Sequence, residues 1–213
     1  MKKIFLFFAI TVSSAVVFGQ NEKYVKAMET NIAQLDSAMM NGNMAALSNN
    51  FERIGDAEKN QWLPYYYASY CTVMSSYMEK DKGKTDGIAD KADELIKKAE
   101  TIAGKENSET CVIKSMIASS HMMVDPQARW QQYGAASTAN IEKAKALDPT
   151  NPRPVYLEGQ AKFYTPESFG GGKAPAKELL TKALTMFDSF KPETKLHPNW
   201  GKATLQYFLA QTN

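Results

Sequence analysis

Apolar residues recur at steps of three and four along nearly the whole chain, the spacing of helix faces buried against one another. Tyr24, Val25, Met28, Ile32, Leu35 and Met39 define a first helix, and the Asn41-Gly42-Asn43 break ends it. Asn43 is placed to cap a second helix through Met44, Leu47, Phe51, Ile54 and Ala57. A third, dense in aromatic residues, runs from Trp62 to Met78, and Asp81 to Lys84 reads as a charged turn. Ile88, Ala92, Leu95, Ile96, Ala99 and Ile102 form a fourth, ended by Gly104. Ser108 is expected to cap a fifth that reaches Val124, where Asp125-Pro126 stops or bends it. A sixth is predicted from about Gln131 to Leu147, and Pro152 and Pro154 open a seventh. Gly170-Gly171-Gly172 separates it from an eighth, roughly Pro175 to Phe187. Pro198 suits the first turn of a ninth that runs to about Ala210. No stretch shows the alternation of a half-buried strand, so the pattern predicts an all-α protein.

The helices also pair and repeat. Pair starts fall near residues 22, 62, 108 and 153, a spacing of about 40 to 46 residues. The second helix of each pair carries a small–large–small signature: Ala92, Ile96 and Ala99; Ser137, Ile141 and Ala144; Ala176, Leu180 and Ala183. Small residues seven apart let two helices approach closely, and the larger residue between them fills the gap. The first pair offers only Leu47, Phe51 and Ile54, as suits a terminal cap. With this pattern, Ala144-Lys145-Ala146-Leu147-Asp148-Pro149 resembles the end of a tetratricopeptide repeat, although the units here exceed the usual 34 residues and the first helices lack the Trp–Leu–Gly–Tyr spacing. The chain is also similar to short exported repeat proteins of Bacteroidota, through Trp62-Leu63-Pro64-Tyr65-Tyr66-Tyr67-Ala68, residues 163–173 and Leu196-His197-Pro198-Asn199-Trp200-Gly201-Lys202. These resemblances imply a tetratricopeptide-like α-solenoid of about four helix pairs plus a C-terminal capping helix. They imply an envelope location and no assigned activity.

The first residues differ from the rest. Lys2 and Lys3 precede an apolar run from Ile4 to Phe18, and Gly19 follows. That order reads as a cleavable secretory leader, residues 1–19, ahead of one repeat domain, residues 20–213. The run is shorter than the roughly 20 residues a membrane span needs, so no stable membrane insertion is expected after cleavage. The product would be periplasmic or secreted. The 25 Lys and Arg exceed the 23 Asp and Glu only by Lys2 and Lys3, so the mature chain is formally neutral and has no basic surplus for nucleic acid. Cys71 and Cys111 could pair in an oxidising compartment or fill the core separately, and spacing does not decide between these.

Candidate chemistry is sparse. His121 and His197 stand apart from each other and from the cysteines, so neither a metal nor another cofactor is expected. No nucleophile elbow is present, and the acidic pairs lie on lysine-rich helices, so the chain reads as a non-enzyme. Gly170, Gly171, Gly172 and Lys173 precede a helix and could meet an anion, but the arrangement lacks the strand and the Ser or Thr of a phosphate-binding loop. Tyr65 and Ser69 belong to a small, polar stripe that would offer an aromatic anchor if it faced the concave groove. Tyr164, Phe169 and Trp200 are expected to form an aromatic patch beside the glycine turn. The leading expectation is a scaffold for an unidentified protein or peptide partner. The alternative is a small-ligand carrier, or a transporter accessory protein, that uses the glycine turn and the aromatic patch.

Overall fold

The computed structural model describes residues 11–212, and among them every regular element is helical. The succession is α1 (Thr11–Ile32), α2 (Leu35–Asn41), α3 (Met44–Glu58), α4 (Leu63–Met78), α5 (Lys82–Ala103), α6 (Ser108–Val124) and α7 (Pro126–Arg129). A π-helical turn, Trp130–Gly134, leads into α8 (Ala135–Leu147). There follow α9 (Pro152–Tyr164), a 3₁₀ turn (Glu167–Phe169), α10 (Lys173–Ser189) and α11 (Lys202–Gln211). Residues 1–10 of the expected leader lie outside the described residues, and the expected cut after Gly19 falls within α1. Among the described residues no helix is long and apolar enough to cross a membrane.

Local chemistry explains most boundaries and corrects some expectations. The first predicted helix is two, because the chain breaks at Ala33 and Gln34. Asn43 occupies the cap position of α3 without a side-chain bond. Ser108 is the first residue of α6, not its cap: Asn107 accepts from the Thr110 amide while Thr110 Oγ1 accepts from the Asn107 amide. The Ser108 hydroxyl is thereby free to donate to the Ala144 carbonyl of α8 at 2.9 Å. Asp81 likewise caps α5, which absorbs most of the predicted charged turn. Pro198 lies outside the last helix, which begins only at Lys202, after Gly201 turns the chain at φ +110°.

Each long helix packs on its neighbours in sequence: α3 on α4, α4 on α5, α5 on α6, α6 on α8 and α9 on α10. The small–large–small triplets lie in these seams. Ala92, Ile96 and Ala99 are wholly buried, as are Ala176, Leu180 and Ala183, while Ser137, Ile141 and Ala144 are nearly so. Gly159 of α9 extends the principle, since a Cβ there would stand 3.0 Å from Leu180. Cys71 and Cys111 are unpaired and buried. Burial pushes the Cys111 thiol up to about 11 and Cys71 higher still.

Candidate functional site

The N-terminal ends of α4, α6 and α9 converge on a buried polar hub. Arg153, at the start of α9, is fully enclosed. Its Nη1 donates to Glu109 Oε1 of α6 at 2.8 Å. The other Glu109 oxygen accepts from the Tyr66 hydroxyl of α4 at 2.9 Å, and Asn151 adds a third donor at 2.8 Å. Burial raises the Glu109 carboxyl above its ordinary range, and the Arg153 charge works against that shift. The Arg153 guanidinium also lies over the rings of Phe190, Trp200 and Phe187, at 5.0, 5.3 and 5.9 Å from their centroids.

The segment between α10 and α11 straps itself across this end. The Pro198 carbonyl is held by Arg153, and the Leu196 carbonyl accepts from the Tyr67 hydroxyl at 2.9 Å. Trp200 stacks on Tyr70 with centroids 4.5 Å apart and donates its indole N–H to the Tyr66 hydroxyl at 2.8 Å. His197 packs edge-on against Trp62, and Lys195 pairs with Glu29 of α1. The chain's own residues 190–201 therefore cover the hub.

Tyr66 of α4, Glu109 of α6 and Arg153 of α9 meet at the hub; α4 also packs on α6, and α9 packs on α8, α10 and α11. Tyr77 of α4 donates to the Met116 carbonyl of α6 at 2.6 Å and lies close to Ser119 and to Tyr156 of α9. Tyr156 in turn neighbours Thr204 of α11 and Tyr164. Desolvation raises both phenols well above their ordinary value. Among the described residues, the exposed large apolar side chains include Met78 at the end of α4, Met123 near the end of α6, Trp130 in the π-helical turn, Tyr164 at the end of α9, Phe169 in the 3₁₀ turn and Tyr207 within α11. Tyr164 is 69% exposed and its ring stands on Phe163 and Phe208, at 5.4 and 5.7 Å. Tyr207 adds a further ring against Phe208 at 5.7 Å. Most large apolar patches left in water mark a binding surface.

The expected site residues are thus divided. Tyr164 stands on an aromatic cluster with Phe163 and Phe208, and Phe169 is exposed in the 3₁₀ turn that follows α9. Trp200 belongs instead to the strap, which it pins to Tyr70 and Tyr66. Tyr65 and Ser69 do not face a groove: both are buried, Tyr65 donating to Asp56 of α3 under Lys98 of α5, and Ser69 to the Ala92 carbonyl. The backbone N–H groups of Gly170, Gly171 and Gly172 are spent on the carbonyls of Glu167, Pro166 and Lys162, so the turn presents none of them to an anion. Lys173 is exposed at the start of α10. Met78, Met123 and Tyr207 escaped the sequence reading because at helical spacing each looks like core.

Two clefts lie elsewhere. One of about 520 Å³ runs between α1 and α3, but Lys23, Thr30, Asn31, Gln34, Asn50 and Arg53 make its walls polar, and its one aromatic residue, Tyr24, is buried. One of about 260 Å³ sits behind the strap near Trp62, Asp148 and Lys191. His121 is engaged with Asp86 at 2.7 Å and stacked on Tyr133, and among the described residues no group of three or more His, Cys, Asp or Glu is arranged to hold a metal ion.

No family model matches the chain, and no curated protein does. Among solved structures it is similar to the HusA haemophore from Porphyromonas gingivalis, with 31% sequence identity and a TM-score of 0.78, over 89% of this chain and 92% of that one.

Proposed function

The chain belongs to the family of the HusA haemophore from Porphyromonas gingivalis, and on that premise we propose that it is an exported, non-catalytic carrier that binds haem or a related tetrapyrrole at the exposed aromatic cluster of α9 and α11. The observation that carries this reading is the exposed aromatic cluster in which Tyr164 of α9 and Tyr207 of α11 stand against Phe163 and Phe208. A tetrapyrrole is a broad, flat apolar face with carboxylates at its rim. Tyr164 and Tyr207, braced by Phe163 and Phe208, offer ring faces and edges to such a plane, and Met78 and Met123 offer polarisable, adaptable contacts. Lys162, which donates to the Gly170 carbonyl, and the exposed Lys173 flank the aromatic cluster, where the ligand's carboxylates would lie. The resemblance to tetratricopeptide arrays belongs to the same proposal: stacked helix pairs supply a rigid platform. The strap argues against the peptide-scaffold reading, because a good part of the surface an extended peptide would take is occupied by the chain's own residues 190–201.

The test is a titration of the purified mature protein with ferric haem and with metal-free protoporphyrin, followed by absorbance and by tryptophan quenching. Saturable binding is expected, with a rise in Tm as ligand is added. Replacing the exposed Phe169 and Tyr207 together by Ser should weaken binding at least about tenfold, a loss near 1.4 kcal/mol, while leaving the fold unchanged. Absence of saturable binding to either compound would reject the carrier reading.

A further inference from the structure

We propose that the cleft between α1 and α3 is a second ligand site, built for a small hydroxylated carboxylate of the sugar-acid class. It is separate from the aromatic cluster of α9 and α11 and does not depend on the carrier reading. The two helices pass each other in opposite directions. Asn50 of α3 donates to Asn31 of α1 at 3.1 Å. About two turns earlier in α1, Tyr24 lies close enough to feel the charge of Glu58, about two turns later in α3. The cleft of about 520 Å³ follows that seam, where the small side chains of Ala27 and Ala57 leave room between the helices. Its volume falls within the roughly 300–1,000 Å³ of small-molecule sites.

Tyr24 is the singular feature. It lines the cleft at only 6% exposure, and its hydroxyl is buried without a hydrogen-bond partner among the described residues. A buried polar atom left unpaired is costly, so a ligand oxygen that accepts from it recovers that loss on binding. Burial pushes the phenol up to about 12, so at neutral pH it stays a donor. Glu58 also lines the cleft and accepts no hydrogen bond among the described residues. A ligand hydroxyl both donates and accepts, and so can serve Tyr24 and Glu58 together. The carboxylate is argued from charge. Lys23 and Arg53 line the same cleft; Lys23 has no ion pair among the described residues, and Arg53 donates only to the neutral Asn50. Two cations therefore face the single carboxylate of Glu58. Arg53 precedes Glu58 by about 7.5 Å along the helix axis, the scale of one sugar ring with its substituents. A tetrapyrrole, broad and apolar, offers no hydroxyl to Tyr24 and Glu58.

The test is an NMR titration of the isotopically labelled protein with glucuronate, glucose and glutarate. The first carries hydroxyls and a carboxylate, the second hydroxyls alone and the third carboxylates alone. Glucuronate is expected to give saturable shifts confined to residues 23–34 and 50–58, with the other two at least about tenfold weaker. Tyr24→Phe removes only the unpaired oxygen. It should weaken glucuronate binding about threefold to tenfold while leaving the ligand-free Tm unchanged or higher. Arg53→Gln should weaken it at least about tenfold. Glucose binding as tightly as glucuronate would show that the cations read nothing, and glutarate doing so that Tyr24 and Glu58 read nothing; either overturns the assignment. Unchanged affinity in Tyr24→Phe overturns it too, as does a fall in its ligand-free Tm, which makes the hydroxyl structural. No saturable shift with any probe, or shifts centred outside the cleft, also overturns it. Each of these results leaves the tetrapyrrole reading standing, because protoporphyrin binding is measured separately.

Discussion

At the scale of single residues, positions with no slack are the most informative. Gly201 turns the chain into α11 at φ +110°, and a Cβ there would stand 3.0 Å from the Phe187 ring. Gly201→Ala combines left-handed strain with crowding and should cost about 1–3 kcal/mol, read as a lower urea midpoint at unchanged m-value. Gly104→Ala meets only the strain, since nothing lies within 4 Å of its Cβ position, and should cost less. Charge acts at the same scale. Hydrogen bonds from Arg129 hold the Asp86 carboxyl below its usual range, and Lys114 and Lys143 do the same for Glu106. Each folded-state pKa therefore lies below its unfolded value, so each contribution is present above the ordinary carboxylate range, about pH 4, and is lost as pH falls through the depressed value. Asp86→Asn should lower Tm slightly at pH 7 and much less at pH 3. An equal difference at both pH values would show that the pairing contributes nothing through charge.

At the scale of elements, most helices were legible because a buried face must repeat with the helix, and the Ala92–Ile96–Ala99 and Ala176–Leu180–Ala183 triplets marked the seams correctly. Caps were less legible, since Asn107 and Ser108 are both cap formers and only the geometry of Thr110 decides between them. The strap was not legible. Residues 190–201 have no period, and their partners are remote in sequence: Tyr67 meets Leu196 across 129 positions and Tyr66 meets Trp200 across 134. Arg153 and Glu109 were overlooked because charged residues are normally solvent-facing, and here each is enclosed only because the other is. The exposed apolar residues were half legible: Tyr164 and Phe169 stand out beside a glycine turn, whereas Met78, Met123 and Tyr207 look like core on a helical wheel. Two of the three tryptophans separate these roles. Trp200→Ala removes a stack, an indole hydrogen bond and a cover over Arg153, and should cost about 3–5 kcal/mol in urea unfolding. Trp130→Ala, at a site 59% exposed, should change stability by less than about 0.5 kcal/mol.

At the scale of the whole molecule, the Arg153–Glu109 hub and the strap close one site with the chain's own residues, whereas the Tyr164 and Tyr207 rings stay exposed on Phe163 and Phe208. That contrast links the fold to the carrier reading, because only the second site leaves its rings accessible to a ligand. The most direct measurement is the footprint of metal-free protoporphyrin on the isotopically labelled protein by NMR. Chemical-shift changes are expected at Met78, Met123, Tyr164, Phe169 and Tyr207, with Trp62, Tyr66 and Trp200 unmoved. Changes centred on the strap or on the cleft beside Lys23 and Arg53, or no changes at saturating ligand, would contradict the account.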